Sequence, residues 1–156
     1  MSANVDQSFF GIHEDIILTK DGIWLSNGEE ITHPGTLAGF ARNIYRCKDG
    51  FEIRLGNERK TIHVEDTIYF ILGLDGTPAA GFTLRLNDGR TVKLEAGTLQ
   101  YRPGRLTCKV PHPQEQTHEE AKFLTTAYYE LLKHVEKTKR GFEITIEGSK
   151  ILLAES

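Results

Sequence analysis

Tyr101-Arg102-Pro103-Gly104-Arg105 is the stretch whose residue types and spacing best suit binding chemistry. Two guanidiniums around a tight turn can form a fork for a phosphate or carboxylate, and the tyrosine ring offers a face on which a base can stack. The same five residues also read as a solvated hairpin tip. Thr32-His33-Pro34-Gly35-Thr36 is a second candidate. Unpaired N–H groups at a helix start, beside two hydroxyls and an imidazole, can hold a phosphate, although the same groups serve simply as caps. With Arg42 and Arg46 these residues can build a positive pocket, so the ligand-binding set expected from sequence is Thr32, His33, Tyr101, Arg102 and Arg105.

Other reactive side chains carry less. His63 and Glu65 alternate with Ile62 and Val64, which places them on the solvent face of one strand with Asp66 following. A histidine beside carboxylates can do acid–base work, but alternation alone also puts polar residues there. His112, His118 and His134 have no recognised ligand spacing and no Cys or Asp to complete a set, so they read as loop and surface residues and no metal is expected. No phosphate-binding glycine loop, nucleophile elbow or His-Glu-x-x-His run occurs. No catalytic residue and no cofactor are assigned. Trp24 reads as a core anchor or an interface residue, and Trp24, Arg42, Arg46 and Asp66 form the candidate interface set.

The elements that must position these residues occur twice. A helical stripe runs into Gly50-Phe51-Glu52-Ile53 and another into Gly141-Phe142-Glu143-Ile144, an offset of 91 residues that also maps Leu37 onto Tyr128, Phe40 onto Leu131 and Ile44 onto Val135. Before the first copy, Asp21-Gly22 between Ile16-Ile17-Leu18 and Ile23-Trp24-Leu25 predicts a hairpin. The first helix starts at Thr32-His33-Pro34, carries Leu37, Phe40, Ala41, Ile44 and Tyr45 on one face, and ends at Asp49-Gly50. A hairpin follows, with Phe51, Ile53 and Leu55 facing one way, and then an apolar strand from Thr67 to Leu74.

Asp75-Gly76-Thr77-Pro78 reads as the boundary. Beyond it, Asn87-Asp88-Gly89 predicts another hairpin, and short strands flank Pro103-Gly104. Thr117 and Glu120 suggest a capping box for the second helix, with Leu124, Ala127, Tyr128, Leu131, Leu132 and Val135 as its stripe and Gly141 as its C-cap. A last hairpin, Phe142 to Ile146 and Ile151 to Leu153, closes the second copy. The expected organisation is a leader at 1–15, a first α+β subdomain at 16–76 and a second at 77–156.

The 156 residues are 38% hydrophobic and 26% charged, as in a soluble globular protein. A formal net charge of −3 argues against general nucleic-acid binding. The start has no signal-peptide pattern and the longest apolar run is too short for a bilayer, so a cytoplasmic protein without a membrane partner is expected. Cys47 and Cys108 read as two reduced thiols.

Asp21-Gly22-x-Trp24, Gly28, Ile31, Leu37, Phe40 and Val64-Glu65-Asp66, with Tyr128-Tyr129-Glu130-Leu131 and the final hairpin, resemble the bacterial family called domain of unknown function 1285. The resemblance implies two related α+β subdomains, the second loosely like a pleckstrin-homology fold. It also implies a nucleotide-like ligand at their interface, a role in bacterial signalling, and no enzymatic activity. The chain departs from the family pattern at Asn57-Glu58-Arg59-Lys60, at Thr67-Ile68-Tyr69 and at Thr125-Thr126, where the family carries an arginine.

These readings converge on an α+β protein of two tandem hairpin–helix–hairpin copies. Its expected function is that of a non-catalytic sensor module for an anionic, nucleotide-like ligand at the junction of the copies. The alternatives are an adaptor or homodimer pairing through the edge of Ile151-Leu152-Leu153, and a small acid–base enzyme using His63.

Overall fold

The computed structural model describes Phe10, Gly11 and residues 13–155, so most of the expected leader lies outside the described residues. The chain divides into two compact units, with the boundary between Ile68 and Tyr69.

The first unit holds β1 (Ile16–Leu18), β2 (Trp24–Ser26), β3 (Glu29–Glu30), α1 (Pro34–Arg42), β4 (Ile44–Cys47), β5 (Gly50–Leu55) and β6 (Glu58–Val64). Its strands form one sheet in the order β3-β2-β1-β6-β5-β4, with β1 and β6 parallel at the centre. Gly22 sits at φ +83 in the expected Asp-Gly turn between β1 and β2. Trp24 and Phe40 meet edge to face at 5.4 Å and Phe10 stacks on Phe40 at 6.0 Å, which fixes α1 through its buried Phe40 and Ala41.

The second unit holds β7 (Tyr69–Thr77), β8 (Gly81–Leu86), β9 (Thr91–Lys93), a 3-10 turn (Ala96–Thr98), β10 (Gln100–Arg102), β11 (Arg105–Pro111) and β12 (His118–Phe123). It continues with α2 (Thr125–Leu132), β13 (Glu136–Lys137), β14 (Gly141–Ile146) and β15 (Ser149–Glu155). A six-stranded sheet runs β10-β11-β12-β7-β8-β9, with β12 and β7 parallel. β13, β14 and β15 make a separate three-stranded sheet. Because β7 pairs with both β8 and β12, it belongs to this unit, ahead of the Asp75–Pro78 stretch that the sequence marks as a boundary. Asp75, Gly76 and Thr77 are the paired end of β7, and Pro78, Ala79 and Ala80 make the hairpin turn, in which Ala80 N–H donates to Thr77 Oγ1 at 3.1 Å.

The architecture is α+β and duplicated. Each unit joins two three-stranded meanders through one central parallel pair, in the same strand order. The 91-residue offset carries β5 onto β14 and β6 onto β15 end for end, and nearly superposes α1 on α2. Glu52 and Glu143 correspond under this offset, and both are buried. Glu52 accepts from Arg54 Nε at 2.6 Å and Glu143 from Thr138 Oγ1 at 2.6 Å, so the repeated Gly-Phe-Glu-Ile motif buries a paired carboxylate in each copy.

Both helices are shorter than the apolar spacing predicts. α1 stops at Arg42 because Asn43 folds back, its Nδ2 donating to Gly39 O at 2.7 Å, and Ile44 and Tyr45 then continue as a strand. Arg46 therefore lies on β4 and not on the helix. The Thr117–Glu120 capping box does not form. Residues 118–123 are a strand whose buried positions are Glu119, Ala121 and Phe123, a period of two. α2 starts after Leu124 without a side-chain cap, and Val135 and Gly141 lie beyond it. Among the described residues, no helix is long and apolar enough to cross a membrane.

Both cysteines are free thiols. Cys108 is buried, and its thiol is pushed up to about 12 first by loss of water and then by the Glu95 charge. A thiol reagent at neutral pH is expected to modify the half-buried Cys47 in the native state and Cys108 only in denaturant. The same shift makes stability full below the ordinary thiol value of 9.0 and progressively lost as pH rises toward 12, where the unfolded thiol ionises and the folded one does not. The loss from this group reaches about 4 kcal/mol at the upper end, measurable by denaturation at several alkaline pH values.

Candidate functional site

Three of the expected ligand residues come together on one hairpin of the second unit. β10 and β11 pair so that Tyr101 faces Leu106 and Arg102 faces Arg105 across Pro103-Gly104. Gly104 takes φ +77, which suits the second central position of a Pro-Gly turn. The two guanidiniums therefore start from directly opposed backbone positions, a like-charge arrangement that costs a hairpin stability in isolation. Arg105 is partly covered and lies 3.9 Å from Glu120 Oε1. Arg102 is exposed, and its side chain makes no hydrogen bond or ion pair among the described residues.

Two adjoining cavities open beside this hairpin. The larger, about 620 Å³, is walled by Leu132, Val135, Phe142, Leu153 and Ala154 opposite Tyr101, Arg102 and Pro103. The smaller, about 360 Å³, is lined by Gln100, Tyr101, Arg102 and Arg105 with Leu99, Leu152 and Leu153. Tyr101, Arg102 and Leu153 border both, so the two spaces form one groove with an apolar and a cationic half.

Tyr128, on α2, ties the helix to this hairpin through hydrogen bonds with the Tyr101 side chain and the Gly104 backbone. Its hydroxyl titrates above the ordinary phenol range, chiefly through burial and then through the Tyr101 bond, with the Gly104 bond acting the other way. By apolar spacing Tyr128 belongs to the core stripe, since the repeat sets it against Leu37. The readable signal was a hydroxyl where the other copy has a methyl, since a packed tyrosine needs a partner.

The other expected residues fall elsewhere. Thr32 and His33 lie in the first unit, where His33 Nδ1 accepts the Thr36 N–H at 3.1 Å and acts as the N-cap of α1. The cavity beside it, about 460 Å³, includes Glu14, whose carboxylate accepts from Ser26 Oγ at 2.6 Å. Trp24 is buried as a core anchor. Arg42 is exposed at the end of α1, and Arg46 sets its guanidinium over the Phe51 ring at 4.7 Å. Asp66 is half-buried beyond β6, and it and Arg42 both have interaction partners.

His63 is exposed on β6, and Glu65 accepts the Lys20 N–H at 3.0 Å. His112 is a correction to its surface reading. It is buried, and its Nδ1 accepts the N–H groups of Gln114 and Glu115 at 3.1 and 3.0 Å, holding the turn after β11. His118 lies 3.3 Å from Glu95, and His134 packs against Phe82. No cluster of three or more His, Cys, Asp or Glu suited to a metal occurs among the described residues.

The class defined by this geometry is a duplicated α+β protein whose second unit carries a half-apolar, half-cationic groove. Proteins of that fold have been solved. A DUF1285 family protein from Silicibacter pomeroyi DSS-3 matches with a TM-score of 0.63 at 18% identity, over 90% of this chain and 80% of that one. A DUF1285 family protein from Shewanella baltica OS155 matches with a TM-score of 0.57 at 16% identity, over 78% of this chain and 92% of that one. At these identities the likeness is one of fold, and it agrees with the family resemblance read from the sequence. No family model matches the chain, and no curated protein does.

Proposed function

We propose that the chain is a divergent DUF1285-type protein acting as a non-catalytic sensor module in bacterial signalling, and that it binds an anionic small molecule at the Tyr101–Arg105 hairpin. The carrying observation is the facing pair Arg102 and Arg105, both lining one cavity, with Arg102 unengaged by any acidic group among the described residues. An anion between them would relieve the like-charge opposition and supply the Arg102 guanidinium with an acceptor. Tyr128 holds the hairpin to α2 and so gives occupancy a route to a helix. His33 already caps α1 by accepting the Thr36 N–H, so the Tyr101–Arg105 hairpin alone carries the binding.

The test is titration of the purified protein with inorganic phosphate, adenosine monophosphate, a cyclic dinucleotide and simple carboxylates, followed by calorimetry and thermal shift. At least one anion should bind saturably, and Arg102→Ala should weaken it by roughly tenfold or more while leaving the circular dichroism spectrum unchanged. Binding indifferent to Arg102→Ala, or no binding across the panel, would remove the reading.

A further inference from the structure

We infer that the anion is amphipathic: a medium-chain acyl carboxylate whose head meets Arg102 and Arg105 and whose chain lies in the adjoining apolar cavity. This rests on the anion-binding reading above and names the ligand's class.

The charge available is small. Arg105 is shared with Glu120 at 3.9 Å, which leaves Arg102 as the cation without an acidic neighbour among the described residues. One surplus positive charge matches a monoanion better than a di- or triphosphate, whose remaining charges would lack partners while losing water. A planar guanidinium also fits a carboxylate with two parallel hydrogen bonds.

The body of the ligand is set by the other half of the groove. Leu132, Val135, Phe142, Leu153 and Ala154 present only hydrocarbon from their side chains, and the Tyr101 hydroxyl is engaged by Tyr128. A nucleobase there would leave ring nitrogens and exocyclic groups without partners, whereas an alkyl chain has none to satisfy. The cavity of about 620 Å³ lies within the range that holds a small organic ligand. Phe142, 42% exposed, is one of few large apolar side chains left open to water among the described residues, and an alkyl chain would cover it.

Calorimetric titration of the full chain with hexanoate, octanoate and decanoate provides the test, with 1-decanol, adenosine monophosphate and inorganic phosphate run in parallel. Affinity should rise about fourfold per added methylene. It should fall tenfold or more for decanoate in Arg102→Ala, and 1-decanol should bind at least tenfold more weakly than decanoate. Val135→Trp, which fills the apolar half, should flatten the chain-length series, while the series in the unaltered protein needs no variant to fold. If adenosine monophosphate or phosphate binds in an Arg102-dependent way and the carboxylates show no chain-length gain, the acyl inference fails and the anion reading stands. If nothing binds in an Arg102-dependent way, or decanol equals decanoate, both fail.

Discussion

Arg90→Ala is expected to destabilise the second unit by about 3–5 kcal/mol, the range for stripping one partner from a buried ion pair. Asp88 has a side chain only 1% exposed, and its carboxylate accepts from Arg90 Nε at 2.7 Å and from the Arg90 backbone N–H at 3.0 Å. The same guanidinium donates from Nη1 to Pro111 O at 2.6 Å and lies 5.2 Å over the Tyr69 ring. One side chain thus ties the β8–β9 turn to the end of β11 and to the first residue of β7. Removing it leaves a carboxylate in the interior with much of its compensation gone. A domain of ordinary stability has about 5–15 kcal/mol in total, so the variant should unfold well below the parent in urea. Asp88→Asn combined with Arg90→Ala should recover part of the loss, because the stranded charge is then absent. A single-variant cost under about 1 kcal/mol would show that the pair does not anchor the turn.

Gly76→Ala should cost about 3 kcal/mol or more, for a reason that lies in the backbone. Gly76 sits at φ +118, and a Cβ there would clash with Gly81 O and meet Phe82 Cα at 3.1 Å. Both atoms belong to the facing strand, where Gly76 pairs with Phe82, so neither can swing aside without opening the β7–β8 ladder. Two comparison variants separate close approach from conformational strain. Gly28 also has a positive φ, +85, but nothing within 4 Å, so Gly28→Ala carries the strain alone and should cost about 1 kcal/mol. At Gly81, φ +94, the obstacle is the Glu147 carboxylate, a flexible group, so Gly81→Ala should fall between the two. Thermal and urea denaturation of the three variants would rank them. Equal costs would mean that the contact with Gly81 O relaxes freely.

What was legible in the sequence was what is periodic or punctuated. The Asp-Gly turns at Gly22 and Gly89 both close hairpins, and the last hairpin lies where it is expected, although β14 (Gly141–Ile146) and β15 (Ser149–Glu155) run longer than 142–146 and 151–153. Strand β12 was not legible, because its buried face includes Glu119 and its partner β7 is distant in sequence. A carboxylate at an interior position breaks the apolar alternation by which a strand is recognised. The two-residue strands β3 and β13 carry no period at all. For the site, residue types identified the Tyr101–Arg105 hairpin. Its apolar wall was hidden, since Leu132 and Val135 read as one more turn of a core stripe, whereas α2 stops at Leu132.

The parallel pair at the centre of each six-stranded sheet bears on time as well as on strength. Each meander can assemble from neighbours along the chain, at the pace of hairpin formation, about 1–10 μs. Ile17 meets His63, and Tyr69 meets Ala121, only after everything between them has been drawn into a closed loop. Loop closure of that length is paid in entropy before any contact rewards it. Closing the seam between two meanders is therefore expected to set the folding rate, moving each unit toward the slow, millisecond-to-second regime of non-local β proteins. Until the seam closes, β1, β6, β7 and β12 present open edges, which makes the newly made chain most vulnerable to mispairing in that interval.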